Sequence, residues 1–180
     1  NRFMLWLESI EIDGGSGKVA LQILISECKN LRTSILQVTK LIRQLSQTTA
    51  YQENVILLKS VPGIGLLTAM IILTELESID RFNNLDKMCG YIGLIPSTKS
   101  SGEKERTGDI TPRGHSVLRT AIIESSWTAI RNDPSLMKSY LSYCRRMESN
   151  KAIIKIARKL LSRVRFVLSN KKPYVCLIEK

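Results

Sequence analysis

The chain has 180 residues, 43% of them apolar and 24% charged, proportions of an ordinary globular domain with enough length to bury a core. No apolar run is long enough to cross a bilayer, and four scattered cysteines (Cys28, Cys89, Cys144, Cys176) with the single histidine His115 cannot assemble a zinc site. The net charge of +11 is uneven: +2 over residues 1–60, −1 over 61–100 and +10 over 101–180, which favours a polyanionic partner over a merely solvated surface.

Asn1 rather than Met opens the chain, so the expectation is of a fragment with further sequence upstream. Residues 2–12 form a short apolar segment with Trp6, and Asp13-Gly14-Gly15-Ser16-Gly17 is a flexible break. Gly17-Lys18 is not a phosphate loop, because Val19 stands where Ser or Thr is required and no strand precedes it. From Lys18 to about Thr49, Leu21, Leu24, Ile25, Cys28, Leu31, Ile35, Val38, Ile42 and Leu45 recur at three and four residues. That stripe predicts a long helix with near-heptad spacing, packed either on its own domain or on another subunit.

Residues 52–60 predict a further helix running into Ser60-Val61-Pro62-Gly63-Ile64-Gly65, after which Leu66 to Leu76 resume a helical pattern. Two helices joined by a small-residue turn form a helix-hairpin-helix pattern, spanning about 57–76. With no side chain at Gly63 or Gly65, the amides around Gly63, Ile64 and Gly65 suit a phosphate approaching a helix N-terminus. A turn over Asp80 to Phe82 and a short helix over Asn84 to Gly90 follow, and Gly93-Leu94-Ile95-Pro96 leads into a polar loop over about 96–114.

Beyond the loop, Pro112 to Arg131 is helical, with Val117, Leu118, Ala121, Ile122, Ser125 and Trp127 expected inward. Asp133 or Ser135 caps a helix over 135–147. The last helix, Lys151 to Leu168, segregates Ile153, Ile154, Ile156, Ala157, Leu160, Leu161, Val164, Val167 and Leu168 from Lys151, Lys155, Arg158, Lys159 and Arg165. No acidic residue interrupts the basic side, where a merely soluble helix usually mixes in glutamates. The alternating pattern of a half-buried strand is absent throughout, and the fold class is all-α: a helical arm over 1–54, then a helical domain over 55–180.

The loop holds Ser100 and Ser101 among Lys99, Lys104, Arg106 and Arg113. A serine hydroxyl attacks a phosphodiester only when neighbours favour its alkoxide and neutralise the charge that develops on phosphorus, as clustered Lys and Arg do. The bland alternative is an exposed loop that only contacts DNA or solvent. His115 is a general-base candidate and equally a helix-start residue.

The order Ser60-Val61-Pro62-Gly63-Ile64-Gly65 with Thr68-Ala69, Ile79-Asp80-Arg81-Phe82, Tyr91-Ile92-Gly93-Leu94-Ile95-Pro96, Ser100-Ser101-Gly102, Gly108-Asp109-Ile110-Thr111-Pro112-Arg113-Gly114 and Leu118-Arg119 resembles the second half of Piv/MooV-type insertion-sequence transposases, the family associated with bridge-RNA-guided recombination. The likeness runs over roughly 55–170. It implies a serine nucleophile at the residue before the loop glycine, Ser101, with Ser100 the second choice. It also implies an upstream RuvC-like domain with a DEDD acidic tetrad for Mg2+, which these residues lack, so that the fragment alone would be inactive and would carry no cofactor.

Two function classes follow. The first is the serine-bearing part of a DNA transposase, binding DNA through Gly63, Ile64, Gly65, Lys99, Lys104, Arg119, Lys151, Lys155, Arg158, Lys159 and Arg165, with Arg106 and Arg113 assisting catalysis. The second is a non-catalytic helix-hairpin-helix nucleic-acid-binding module. Expected partners are DNA, a guide RNA and a second copy joined through the arm, with no membrane; the expected location is the bacterial cytoplasm, at the nucleoid.

Overall fold

A computed structural model of the chain describes residues 2–12, 15–101, 104–110 and 114–176, with the backbone course alone over the stretch from 96 to 110. Its internal packing divides it into two units, Asn1–Leu45 and Ser46–Lys180. The first contains α1 (Arg2–Glu8) and nearly all of α2 (Gly15–Ser46). Glu8 of α1 pairs with Lys29 of α2. Helix α2 starts one turn earlier than its apolar periodicity indicates, through glycines that sequence rules read as a break. Of the expected stripe, Ile25 is buried, while Leu24, Leu31, Ile35, Val38 and Leu45 are exposed.

The second unit orders α3 (Gln52–Lys59), α4 (Leu66–Leu76), a 3-10 turn (Ile79–Arg81), α5 (Leu85–Ile92), β1 (Pro96–Ser101), β2 (Lys104–Ile110), α6 (Ser116–Asn132), α7 (Pro134–Cys144) and α8 (Ser149–Asn170). Helix α8 is its centre, in contact with α3, α5, α6 and α7. Ile153, Ile156, Ala157, Leu160, Leu161, Val164, Val167 and Leu168 are buried along it, with Ala152 added and Ile154 half-buried. A stripe recurring every three to four residues produces this, because one side of a 3.6-residue helix then removes nearly all its apolar surface from water. The class is all-α, with eight α-helices among the described residues and one short ribbon of strand.

Local chemistry sets the helix ends. Asn84 accepts from the Lys87 amide at 2.9 Å to start α5, and Gly93, in the left-handed region at φ 84°, stops it two residues beyond the expected end. Asp133 starts α7 by accepting from the Leu136 amide at 3.0 Å, with Pro134 in the first turn. The same buried carboxylate meets the Arg163 guanidinium at 2.6 Å. Burial alone would raise its pKa, but the Leu136 amide and Arg163 together outweigh that and hold it below the usual carboxylate range. Arg163 stacks on the Tyr174 ring at 4.6 Å, and the Tyr174 amide donates to Ser60 Oγ at 2.7 Å. The segment after α8 is thereby tied to the end of α3.

Three sequence expectations are corrected. The polar loop is not irregular over its whole length, since β1 and β2 form an antiparallel hairpin. Its strands have no apolar alternation, so the period-two signal by which strands are recognised is missing. Val117 is exposed and does not face inward; Ser126, Ala129 and Ile130 are buried in its place. Helix α7 ends at Cys144, not at 147.

Candidate nucleic-acid interface

The turn between α3 and α4 separates two roles that glycine can play. Gly63 adopts φ 88°, which L side chains rarely reach. A Cβ there would press into the Ser125 carbonyl oxygen and lie 2.8 Å from Ala129 Cβ. Gly63 therefore lets α6 approach the turn, an approach reinforced by the hydrogen bond from Ser125 Oγ to Thr68 Oγ1 at 3.1 Å. Ile64 is buried in the core. Gly65 is different: it is the N-cap of α4, exposed, with nothing within 4 Å of an added Cβ. Of the three residues expected to offer amides to phosphate, Gly65 is the one left open.

The hairpin leaves the helical body between two glycines. Gly114, at φ 119°, sits so close to Gly93 that a Cβ on it would be 2.7 Å from the Gly93 Cα and amide nitrogen. One residue on, the His115 amide donates to the Tyr91 carbonyl at 3.1 Å. His115 is the N-cap of α6, its Nδ1 accepting from the Leu118 amide at 3.3 Å. A ring that accepts at Nδ1 carries its hydrogen on Nε2, and Nε2 lies 2.7 Å from Glu75 Oε2. Both nitrogens are thus engaged. Of the two roles expected for His115, the structure displays the helix start.

Within the hairpin the partners are Thr98 with Thr107, Lys99 with Arg106, Ser100 with Glu105 and Ser101 with Lys104. Cross-strand partners share a face of a ribbon, and the faces alternate along each strand. Ser101, Lys104, Lys99 and Arg106 accordingly belong to one face, and Ser100, Glu105, Thr98 and Thr107 to the other. Arg113 lies outside the described residues. Arg119 is half-buried on α6.

On α8, Lys151, Lys155 and Lys159 are exposed. The arginines of the same basic face are engaged within the domain. Arg158 pairs with Asp86 of α5 at 2.6 Å, and Arg165 donates to the Asn83 carbonyl at 3.2 Å. Lys155 and Lys159 flank the half-buried Tyr143 ring at 5.2 and 5.8 Å, and Lys159 also donates to Ser139 Oγ at 2.9 Å. Lys138, Arg145 and Arg146, from α7 and its end, are exposed as well. Sequence reasoning missed them because they fall on a different helix from the regular basic face. It also missed Gly93, Gly114 and Glu75; the glycine doublet around the polar segment was visible, but its meaning depends on two backbones meeting.

Among the described residues no group of His, Cys, Asp and Glu could hold a metal ion, and no helix is long and apolar enough to cross a membrane. The resemblance implies Mg2+ for an upstream domain and not for these residues.

Residues 56–142 match the profile of the Transposase IS116/IS110/IS902 family. The transposase-named y4qE protein of Sinorhizobium fredii is 27% identical over 163 residues, covering 91% of this chain and 38% of its own length. The transposase for insertion sequence element IS1111A of Coxiella burnetii is 28% identical over 137 residues, covering 74% of this chain and 38% of its own. The insertion element IS110 43.6 kDa protein of Streptomyces coelicolor is 31% identical over 107 residues, covering 58% of this chain and 26% of its own. The chain therefore spans 38% of the length of the first two relatives.

Proposed function

We propose that this chain, whose residues 56–142 match the Transposase IS116/IS110/IS902 family, is the part of an insertion-sequence transposase that grips DNA and supplies the serine for strand cleavage and exchange. The observation that carries the reading is the hairpin register, which groups Ser101 with Lys99, Lys104 and Arg106 and groups Ser100 with Glu105. Cations that share a serine's face of a ribbon favour its alkoxide; a carboxylate does not.

In the proposed step, Ser101 Oγ loses its proton and forms a bond to a phosphodiester phosphorus. The deoxyribose oxygen on the other side leaves and takes up a proton. The phosphoserine ester conserves the bond energy, so a hydroxyl of the second duplex can attack it and release the serine. Lys99, Lys104 and Arg106, with Arg113 at the end of the segment, neutralise the charge that accumulates on the non-bridging oxygens. Gly65 and the lysines of α8 hold the DNA backbone.

The helix-hairpin-helix function of α3 and α4, a guide RNA as further partner, association of copies through α2, and a location at the bacterial nucleoid belong to the same proposal. So does a Mg2+ requirement met by the part of such proteins that these residues do not cover. The test is substitution of each serine by alanine in the complete transposase, reading DNA binding and cleavage separately. Loss of cleavage in both variants or in neither would remove the assignment to Ser101.

A further inference from the structure

We propose that Glu75 and His115 are positioning residues: together with Tyr91 they form a pin at the root of the hairpin that sets the direction in which the ribbon carrying Ser101 leaves the helical body. This rests on the reading that the hairpin bears the nucleophile. A two-stranded ribbon is marginally stable in water, so its direction has to come from the way its legs leave the helical body. From Pro96 to Ser101 is five residue steps, about 16 Å of strand at roughly 3.3 Å per step. A tilt of about 10° at the root would carry Ser101 through about 3 Å over that lever, whereas a displacement of about 1 Å is enough to spoil an attack geometry.

The pin is built from segments distant in sequence. His115 follows Gly114 directly and anchors the chain where it rejoins the helical body after β2. Its amide donates to the Tyr91 carbonyl at 3.1 Å, and its own carbonyl accepts from the Arg119 amide at 2.9 Å. Its Nδ1 caps α6, and its Nε2 meets Glu75 of α4 at 2.7 Å. Tyr91 closes the set: its hydroxyl donates to the Glu75 carbonyl at 3.2 Å and its ring lies 6.0 Å from the imidazole. The Arg81 guanidinium lies 5.7 Å from the Tyr91 ring centroid and donates to the Leu76 carbonyl at 3.2 Å. The other leg leaves from Gly93, in backbone contact with Gly114. With both ring nitrogens occupied, the imidazole is a strut.

The test compares Glu75→Ala with Glu75→Gln, because a glutamine oxygen can still accept from Nε2 and neither change touches the cap of α6. Amide hydrogen exchange over the two strands and over α8 is measured on the 180-residue chain, and DNA affinity and cleavage rate on the complete transposase. Glu75→Ala should speed exchange in the strands by about tenfold while α8 is unchanged. It should slow cleavage by about 100-fold at unchanged DNA affinity. Glu75→Gln should stay close to wild type in both. Unchanged strand exchange in Glu75→Ala, equal loss in the two variants, or faster exchange shared by α8 would each overturn the pin. Ser101→Ala runs alongside: cleavage surviving in it removes the nucleophile reading, and the exchange data then still decide whether Glu75 holds the hairpin.

Discussion

At Gly63 and Gly65 the same residue type, two positions apart, meets different constraints. The sequence signal, small residues before a helix, is common to a backbone that must admit a phosphate and a backbone that must admit another helix. The turn itself was legible; its neighbour was not, because Ser125 and Ala129 lie more than sixty residues further along the chain. Gly63→Ala should therefore cost about 3 kcal/mol, combining a left-handed φ with an overpacked contact. Gly65→Ala should cost less than about 1 kcal/mol, since φ −90° suits any residue and the added methyl meets nothing. Denaturant midpoints of the two variants measure this; equal losses would mean that α6 does not press on the turn. His115 carries a similar lesson. Its place at a helix start was readable, but the Glu75 contact forty residues away was not.

Among the elements, α8 and the hairpin mark the two extremes of what the sequence disclosed. Helix α8 was legible because its apolar stripe is regular at 3.6 residues and no competing signal interrupts it. Its basic side was less so: periodicity put five cations together, but could not tell that Asp86 and the Asn83 carbonyl would engage Arg158 and Arg165. The hairpin was read as a loop, since a ribbon polar on both faces leaves no hydrophobic period. The engaged arginines refine what the basic face should do. Changing Lys151, Lys155 and Lys159 together to alanine should weaken binding to all DNA sequences about equally. It should also make the dependence of log affinity on log salt shallower by about two to three, nearly one unit for each phosphate that is no longer neutralised. Arg158→Ala, whose guanidinium already has Asp86, should change the slope by less than one such unit. A salt titration of both variants decides, and an unchanged slope in the triple variant would leave this face to solvent.

For the whole molecule, the two units divide the work in the proposed reaction. Exchange between two duplexes needs several active copies held together, and α2 presents Leu24, Leu31 and Val38 to solvent at near-heptad spacing. The chain should therefore sediment as an oligomer, and Leu24, Leu31 and Val38 changed together to Glu should reduce it to a monomer; a wild-type chain that is monomeric at high concentration contradicts that role. In the same proposal the second unit brings DNA to the hairpin, where the chemistry depends on one oxygen. The most direct test is cleavage of insertion-sequence end DNA by the complete transposase carrying Ser101→Ala or Ser100→Ala, with DNA affinity measured on the same samples. Ser101→Ala should bind DNA as wild type and leave it uncut with no covalent protein–DNA species, while Ser100→Ala still cleaves. Cleavage at the wild-type rate by Ser101→Ala would contradict the assignment of the nucleophile.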